Sequence, residues 1–472
     1  MRVRIQLGIL WGVCLTLATA VAPAAVKLPA MIGDNMVLQR EQPLPLWGWD
    51  APGAKVTVTL GDAKATATAN DKGKWMVQLP AMKAGGPHTL CVQGSDTVTV
   101  KNILVGEVWI CSGQSNMEWS VAGSANASEE IAAADHPRIR HIKIRQTPAA
   151  TPQEDVPSSG WTVCTPQTAG GFTAVGYFFG RHLQRQLDVP IGLIGSNWGG
   201  TRIEPWTPPV GFLKTPALKE IADKLDTFPT RQPDGKVNLQ SALALYNGMI
   251  HPLVPYAVRG AIWYQGESNN GEGMLYHEKM KALIVGWRSV WNREEMSFYF
   301  VQLAPFKYGG NPAALAGIWE AQTATLAVPH TGMAVTVDIS NLADIHPKNK
   351  QDVGKRLALW ALAKDYGMKD LVYSGPLYKS LKVEGAKIRL TFDHVGGGLV
   401  SRDGKPLNWF TIAGADKTFV PAKAEIDGDT VVVQADAVAQ PVAVRFGWDQ
   451  TAEPNLSNKA GLPASPFRTD KW

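Results

Sequence analysis

The spacing of hydrophobic and polar residues changes twice along this 472-residue chain. From residue 26 to about 102 the period is two. Val56-Thr57-Val58-Thr59-Leu60, Lys74-Trp75-Met76-Val77-Gln78-Leu79 and Thr97-Val98-Thr99-Val100 each alternate, as half-buried strands do. Gly33-Asp34-Asn35, Pro52-Gly53, Asn70-Asp71-Lys72-Gly73 and Gly85-Gly86-Pro87 supply turns between them. This pattern predicts a small N-terminal β-sandwich. From 103 to about 369, continuous apolar runs of strand length alternate with helical ones. The strands are Ile103–Ile110, Pro190–Gly195, Ala257–Tyr264, Phe298–Leu303 and Met333–Val337. The helices are Ala174–Leu187, Met274–Trp291, Pro312–Leu326 and Gln351–Tyr366. Such alternation predicts an α/β fold, with a mostly parallel sheet and helices on both faces. Within it, 120–170 is irregular and rich in Pro, Gly and Ser, and reads as an insertion or a lid. From 370 to 472 the period-two pattern returns, as in Lys387–Phe392 and Val442–Phe446, and predicts a C-terminal β-rich domain.

The first 25 residues read as a secretory signal peptide: Arg2 and Arg4 ahead of an apolar run, then small residues at Ala18-Thr19-Ala20 and Ala22-Pro23-Ala24. The expectation is an exported protein, periplasmic or extracellular, without stable membrane insertion. Beyond the signal the cysteines are Cys91, Cys111 and Cys164, so at most one disulfide forms. The formal net charge of +5 falls to +3 without Arg2 and Arg4, and no basic cluster exists, which argues against a nucleic-acid partner. Seventeen tryptophans offer faces for sugar rings, but they also fill cores, and the core use comes first for most.

Candidate chemistry gathers where strands end. Ser115 follows the run Ile103–Ile110 and the small turn Cys111-Ser112-Gly113, between the amides Gln114 and Asn116. It reads either as a nucleophile or as a helix N-cap. His346, in Asp344-Ile345-His346-Pro347, follows another strand and is the best-placed base, with Asp344 either orienting it or serving as a helix-start acid. The turn Trp198-Gly199-Gly200-Thr201 leaves backbone N–H groups uncrowded, suiting an oxyanion hole or a plain tight turn. Trp263-Tyr264-Gln265-Gly266-Glu267-Ser268 is dense in polar groups after an apolar strand. Four such ends of one parallel sheet open on one rim, where α/β folds bind ligands.

Taken together, Gly113-Gln114-Ser115-Asn116-Met117, Trp198-Gly199-Gly200-Thr201, Trp263–Ser268 and Asp344-Ile345-His346-Pro347 resemble the sialate O-acetylesterase family. This family lies within the SGNH-hydrolase superfamily and is related to acetyl xylan esterases. The tail Arg445-Phe446-Gly447-Trp448 and Gly461–Asp470 resembles it too. The resemblance implies a flavodoxin-like SGNH core carrying β-domains, and removal of O-acetyl groups from a sugar or glycan without metal or cofactor. It also implies Ser115 as nucleophile and His346 as base, the imidazole being oriented either by Asp344 or by a backbone carbonyl. The oxyanion hole would use the N–H of Ser115, that of Gly199 or Gly200, and the Gln265 side chain. By their place beside these motifs Trp198 reads as a sugar-stacking or core residue, and Glu267 as a hydrogen-bonding residue of the substrate site or a helix-start acid. Two departures stand out: the position three before the histidine is Ala343, and Glu267 and Ser268 follow Gly266 where the superfamily has an asparagine. Two alternatives remain, a polysaccharide acetylesterase and a non-catalytic exported carbohydrate-binding protein. An ordinary α/β-hydrolase fits less well, because Met117 occupies the last glycine of G-x-S-x-G.

Overall fold

The computed structural model describes residues 25–472; apart from Ala25, the expected signal peptide lies outside the described residues. The fold is organised on one 17-residue strand, Thr97–Gly113. Up to Asn102 its side chains are mostly exposed in part or in full; from Ile103 onward every one is buried. The first part pairs antiparallel with Gly85–Gln93 in the N-terminal sheet. The second runs parallel between Ile191–Asn197 and Gly260–Tyr264, where both faces are covered and alternation has no use. The expected boundary between 102 and 103 therefore falls inside a continuous strand. Side chains on both sides of it join one hydrophobic core, in which Trp47 meets Tyr256 edge-on.

Across the central sheet the order is Thr331–Ala334, Ser297–Val301, Gly260–Tyr264, Thr97–Gly113, Ile191–Asn197, His136–Ile144 and Ser158–Cys164. All pairings are parallel except the last. Trp109 and Tyr299 stack on the face covered by helices Ala174–Leu187 and Lys350–Lys364. Trp263 and Phe298 meet Trp287 of helix Leu275–Val290 on the other. This is the predicted α/β core. The stretch 120–170 is not a lid: it contributes the last two strands of the sheet. Their apolar pattern is obscured because Arg140 and His141 occupy buried positions, His141 stacked on Phe172.

The C-terminal segment forms two four-stranded antiparallel sheets with a core of their own around Ile388, Leu390, Ile412, Val431 and Val444. Arg468 fastens it to the α/β core through a two-pronged pair with Glu320 of helix Ala314–Ala324, at 2.9 and 3.0 Å. Cys91, Cys111 and Cys164 are all free thiols. Among the described residues no helix is long and apolar enough to cross a membrane.

Candidate active site

The parallel register sets Gly113 beside Asn197 on one neighbour and Tyr264 on the other, so three motif-bearing loops leave the sheet at one level. Gly113 has φ +133°, and a Cβ there would lie 2.2 Å from the Tyr264 carbonyl oxygen. Only glycine allows this turn. Beyond it, Ser115 opens the short helix Ser115–Glu118.

His346 arrives from the loop after Thr331–Ala334. Its Nε2 lies 2.9 Å from Ser115 Oγ, although 231 positions separate the two in sequence. Trp119 lies parallel to the imidazole, with ring centres 4.9 Å apart, and so fixes its plane. Asp344 turns toward the histidine: Oδ1 accepts the His346 backbone N–H at 2.9 Å and sits 3.3 Å from Nδ1. Serine, imidazole and carboxylate thus lie in the order that nucleophilic acyl transfer uses.

The other expected residues divide. Gly199 packs against the nucleophile, where a Cβ would lie 3.2 Å from that of Ser115. Its N–H is already donated to Glu118 Oε2 at 2.7 Å, because Glu118 lies one helical turn after Ser115. The backbone N–H groups of Ser115 and Gly200 make no hydrogen bond among the described residues. Gln265 is not a donor to the hole. It is fully buried, and its amide is occupied by Thr201 O at 3.1 Å, Asn269 Oδ1 at 2.8 Å and the Tyr276 hydroxyl at 2.8 Å. It braces the Trp198–Thr201 turn from behind. Glu267 does not face the substrate side either; one oxygen accepts Asn116 Nδ2 at 2.6 Å and the other is buried without a partner. Trp198 is half-buried beside Gly199. Trp206 and Trp263 belong to the core, and Trp119 covers the histidine.

Three residues around the serine take roles that the sequence does not assign to them. Lys350, at the first turn of helix Lys350–Lys364, is fully buried and donates to Asn116 Oδ1. Asn116 Nδ2 also donates to the Ile345 carbonyl at 3.0 Å, tying the nucleophile's helix to the histidine loop. Burial pushes the Lys350 amine down to about 7, against the pull of Glu267 and Asp344. Burial also pushes the Glu267 carboxyl up, only partly offset by its hydrogen bonds and by Lys350. Glu118 is the third, linked to Gln146 Nε2 at 2.7 Å and Lys143 Nζ at 3.6 Å. The available signal was the pair of amides flanking Ser115.

Residues 105–363 match the model of a family described as carbohydrate esterase, sialic acid-specific acetylesterase. The chain belongs to this family. It is a carboxylic ester hydrolase, and similarity to known members extends beyond the matched core. Sialate O-acetylesterase of Pongo abelii is 32% identical over 98% of this chain and 96% of its own length. The Homo sapiens enzyme is 31% identical over the same shares. A carbohydrate acetylesterase from Xanthomonas citri has a similar structure, with TM-score 0.87 and 43% identity over 95% of this esterase and 100% of the other.

Proposed function

We propose that this esterase removes O-acetyl groups from sialic acids by way of an acetyl-Ser115 intermediate. The reading is carried by the 2.9 Å approach of Ser115 Oγ to His346 Nε2, at a rim where the family's motifs converge. Ser115 attacks the acetyl carbonyl and His346 takes its proton. Asp344 stabilises the imidazolium that results. The oxyanion is received by the backbone N–H groups of Ser115 and Gly200, which have no other partner among the described residues. His346 then protonates the leaving sugar hydroxyl. A water, activated by the same imidazole, releases acetate. Trp198, half-exposed at the edge of the site, offers its indole face to the sugar. The work is done outside the cytoplasm, in a periplasm or beyond the cell, as the composition of the first 25 residues suggests.

The test is hydrolysis of an O-acetylated sialic acid by the native protein and by Ser115→Ala, with acetate release measured directly. Loss of turnover in a variant that keeps its melting temperature supports the assignment; near-native turnover removes Ser115 from the reaction.

A further inference from the structure

Beside the nucleophile lies a cavity of about 410 Å³, whose lining includes Glu118, Lys143, Arg145, Gln146, Ser158 and Ser159. That volume suits a single sugar residue. It borders the reaction centre, because Gly199 sits between Ser115 and Glu118: a Cβ on it would lie 3.2 Å from Ser115 Cβ and 3.4 Å from Glu118 Oε2. The charges within it are unevenly committed. Lys143 is held by Asn197 Oδ1 and lies 3.6 Å from Glu118, whose same oxygen accepts from Gln146 at 2.7 Å. Arg145, just past strand His136–Ile144, is exposed, and its guanidinium makes no hydrogen bond or ion pair among the described residues. A guanidinium fork matches a carboxylate in shape as well as charge.

We propose that this cavity seats the carboxylate of the acidic sugar, with Arg145 as the residue that recognises it. The proposal rests on the sialic acid reading above and names the contact that would separate such substrates from neutral acetylated sugars. Lys143 keeps Glu118 compensated, so that Arg145 contributes the free positive charge.

The experiment compares kcat/KM for an O-acetylated sialic acid and for its C1 methyl ester, in the native protein, Arg145→Ala and Arg145→Lys. The native protein should prefer the free acid by about 10- to 100-fold, the range of a charge-assisted pair. Arg145→Ala should lose most of that preference through KM, Arg145→Lys should retain part of it, and added salt should narrow it. Equal turnover of acid and methyl ester by the native protein would overturn the carboxylate seat and leave the deacetylase reading standing. A preference that survives Arg145→Ala would overturn the role of Arg145. Cleavage of acetylated neutral sugars but of neither sialic acid form would remove the substrate reading itself.

Discussion

Two buried carboxylates, Glu107 on the long central strand and Glu267 in the loop after its neighbour Gly260–Tyr264, are treated in opposite ways. Glu107 is completely buried but saturated. Arg40, Arg259 at 2.9 and 3.0 Å, and Gln39 at 3.0 Å together occupy both of its oxygens. Burial alone would raise its pKa; Arg259, Arg40 and Gln39 outweigh burial and hold it below the ordinary range. Glu267 has one oxygen on Asn116 and none on the other, and its pKa is raised. A saturated buried charge fastens segments together. An undersatisfied one is tolerated where the surrounding groups serve chemistry. Glu107 joins the N-terminal sheet to the loop before Gly260–Tyr264, whereas Glu267 lies behind Asn116, the residue that links Ser115 to the histidine loop.

This contrast can be broken or sharpened by substitution. The largest effect belongs to the chemical end: Ser115→Ala should lower kcat/KM for an acetyl ester by on the order of 10⁴- to 10⁶-fold while leaving urea unfolding unchanged. Glu107→Gln should do the reverse. It strands two arginines and should cost about 3 kcal/mol of stability in urea titration, with kcat nearly intact at temperatures where the fold persists. Asp344→Asn comes next. The carboxylate is partly open to solvent and only 3.3 Å from Nδ1, so the expected loss in kcat is about 10- to 100-fold, less than that of a fully buried triad acid. Glu267→Gln should have the smallest effect on stability, under about 1 kcal/mol at neutral pH.

The pH dependence of the last variant and of Glu107→Gln separates the two ends by sign. The lowered pKa of Glu107 means that its stabilisation is present above the unfolded carboxylate value and is lost as pH falls through the folded one. The raised pKa of Glu267 means that the folded state holds the proton longer, so stability falls as pH rises above the unfolded value toward the folded one. Denaturant midpoints measured across the acid range should therefore steepen with Glu267→Gln and flatten with Glu107→Gln. Identical profiles would erase the distinction. Lys350 adds a slope on the alkaline side. Its amine sits at about 7 when folded and titrates higher when unfolded, so stability should rise with pH between those values and lose that rise in Lys350→Met.

Much of this was legible in the chain. The periodicity marks both ends of helix Ala174–Leu187 and the end of strand Gly260–Tyr264, because long periodic segments with apolar stripes admit few alternatives. The strands within 120–170 are not legible because His136–Ile144 buries Arg140 and His141, and buried polar residues erase the hydrophobic period. The orientation of Gln265 is hidden for a related reason: an amide in a polar motif can face a reacting atom or a backbone carbonyl, and local sequence does not distinguish the two. Lys350 gives no signal in the sequence because a lysine in the first turn of a helix ordinarily points to water.

The sequence by itself determined the core's strands and helices outside 120–170, that the core sheet is mostly parallel, and hence that the loops after its strands share one rim. Those properties follow from local periodicity and from chain chirality, which leave few ways to connect parallel strands. Only the tertiary structure decided which polar atoms meet across that rim. It placed the imidazole on Ser115, turned Gln265 inward and gave the Gly199 amide to Glu118. Hydrogen bonds act over about 3 Å, a distance far finer than any periodicity in the chain can specify.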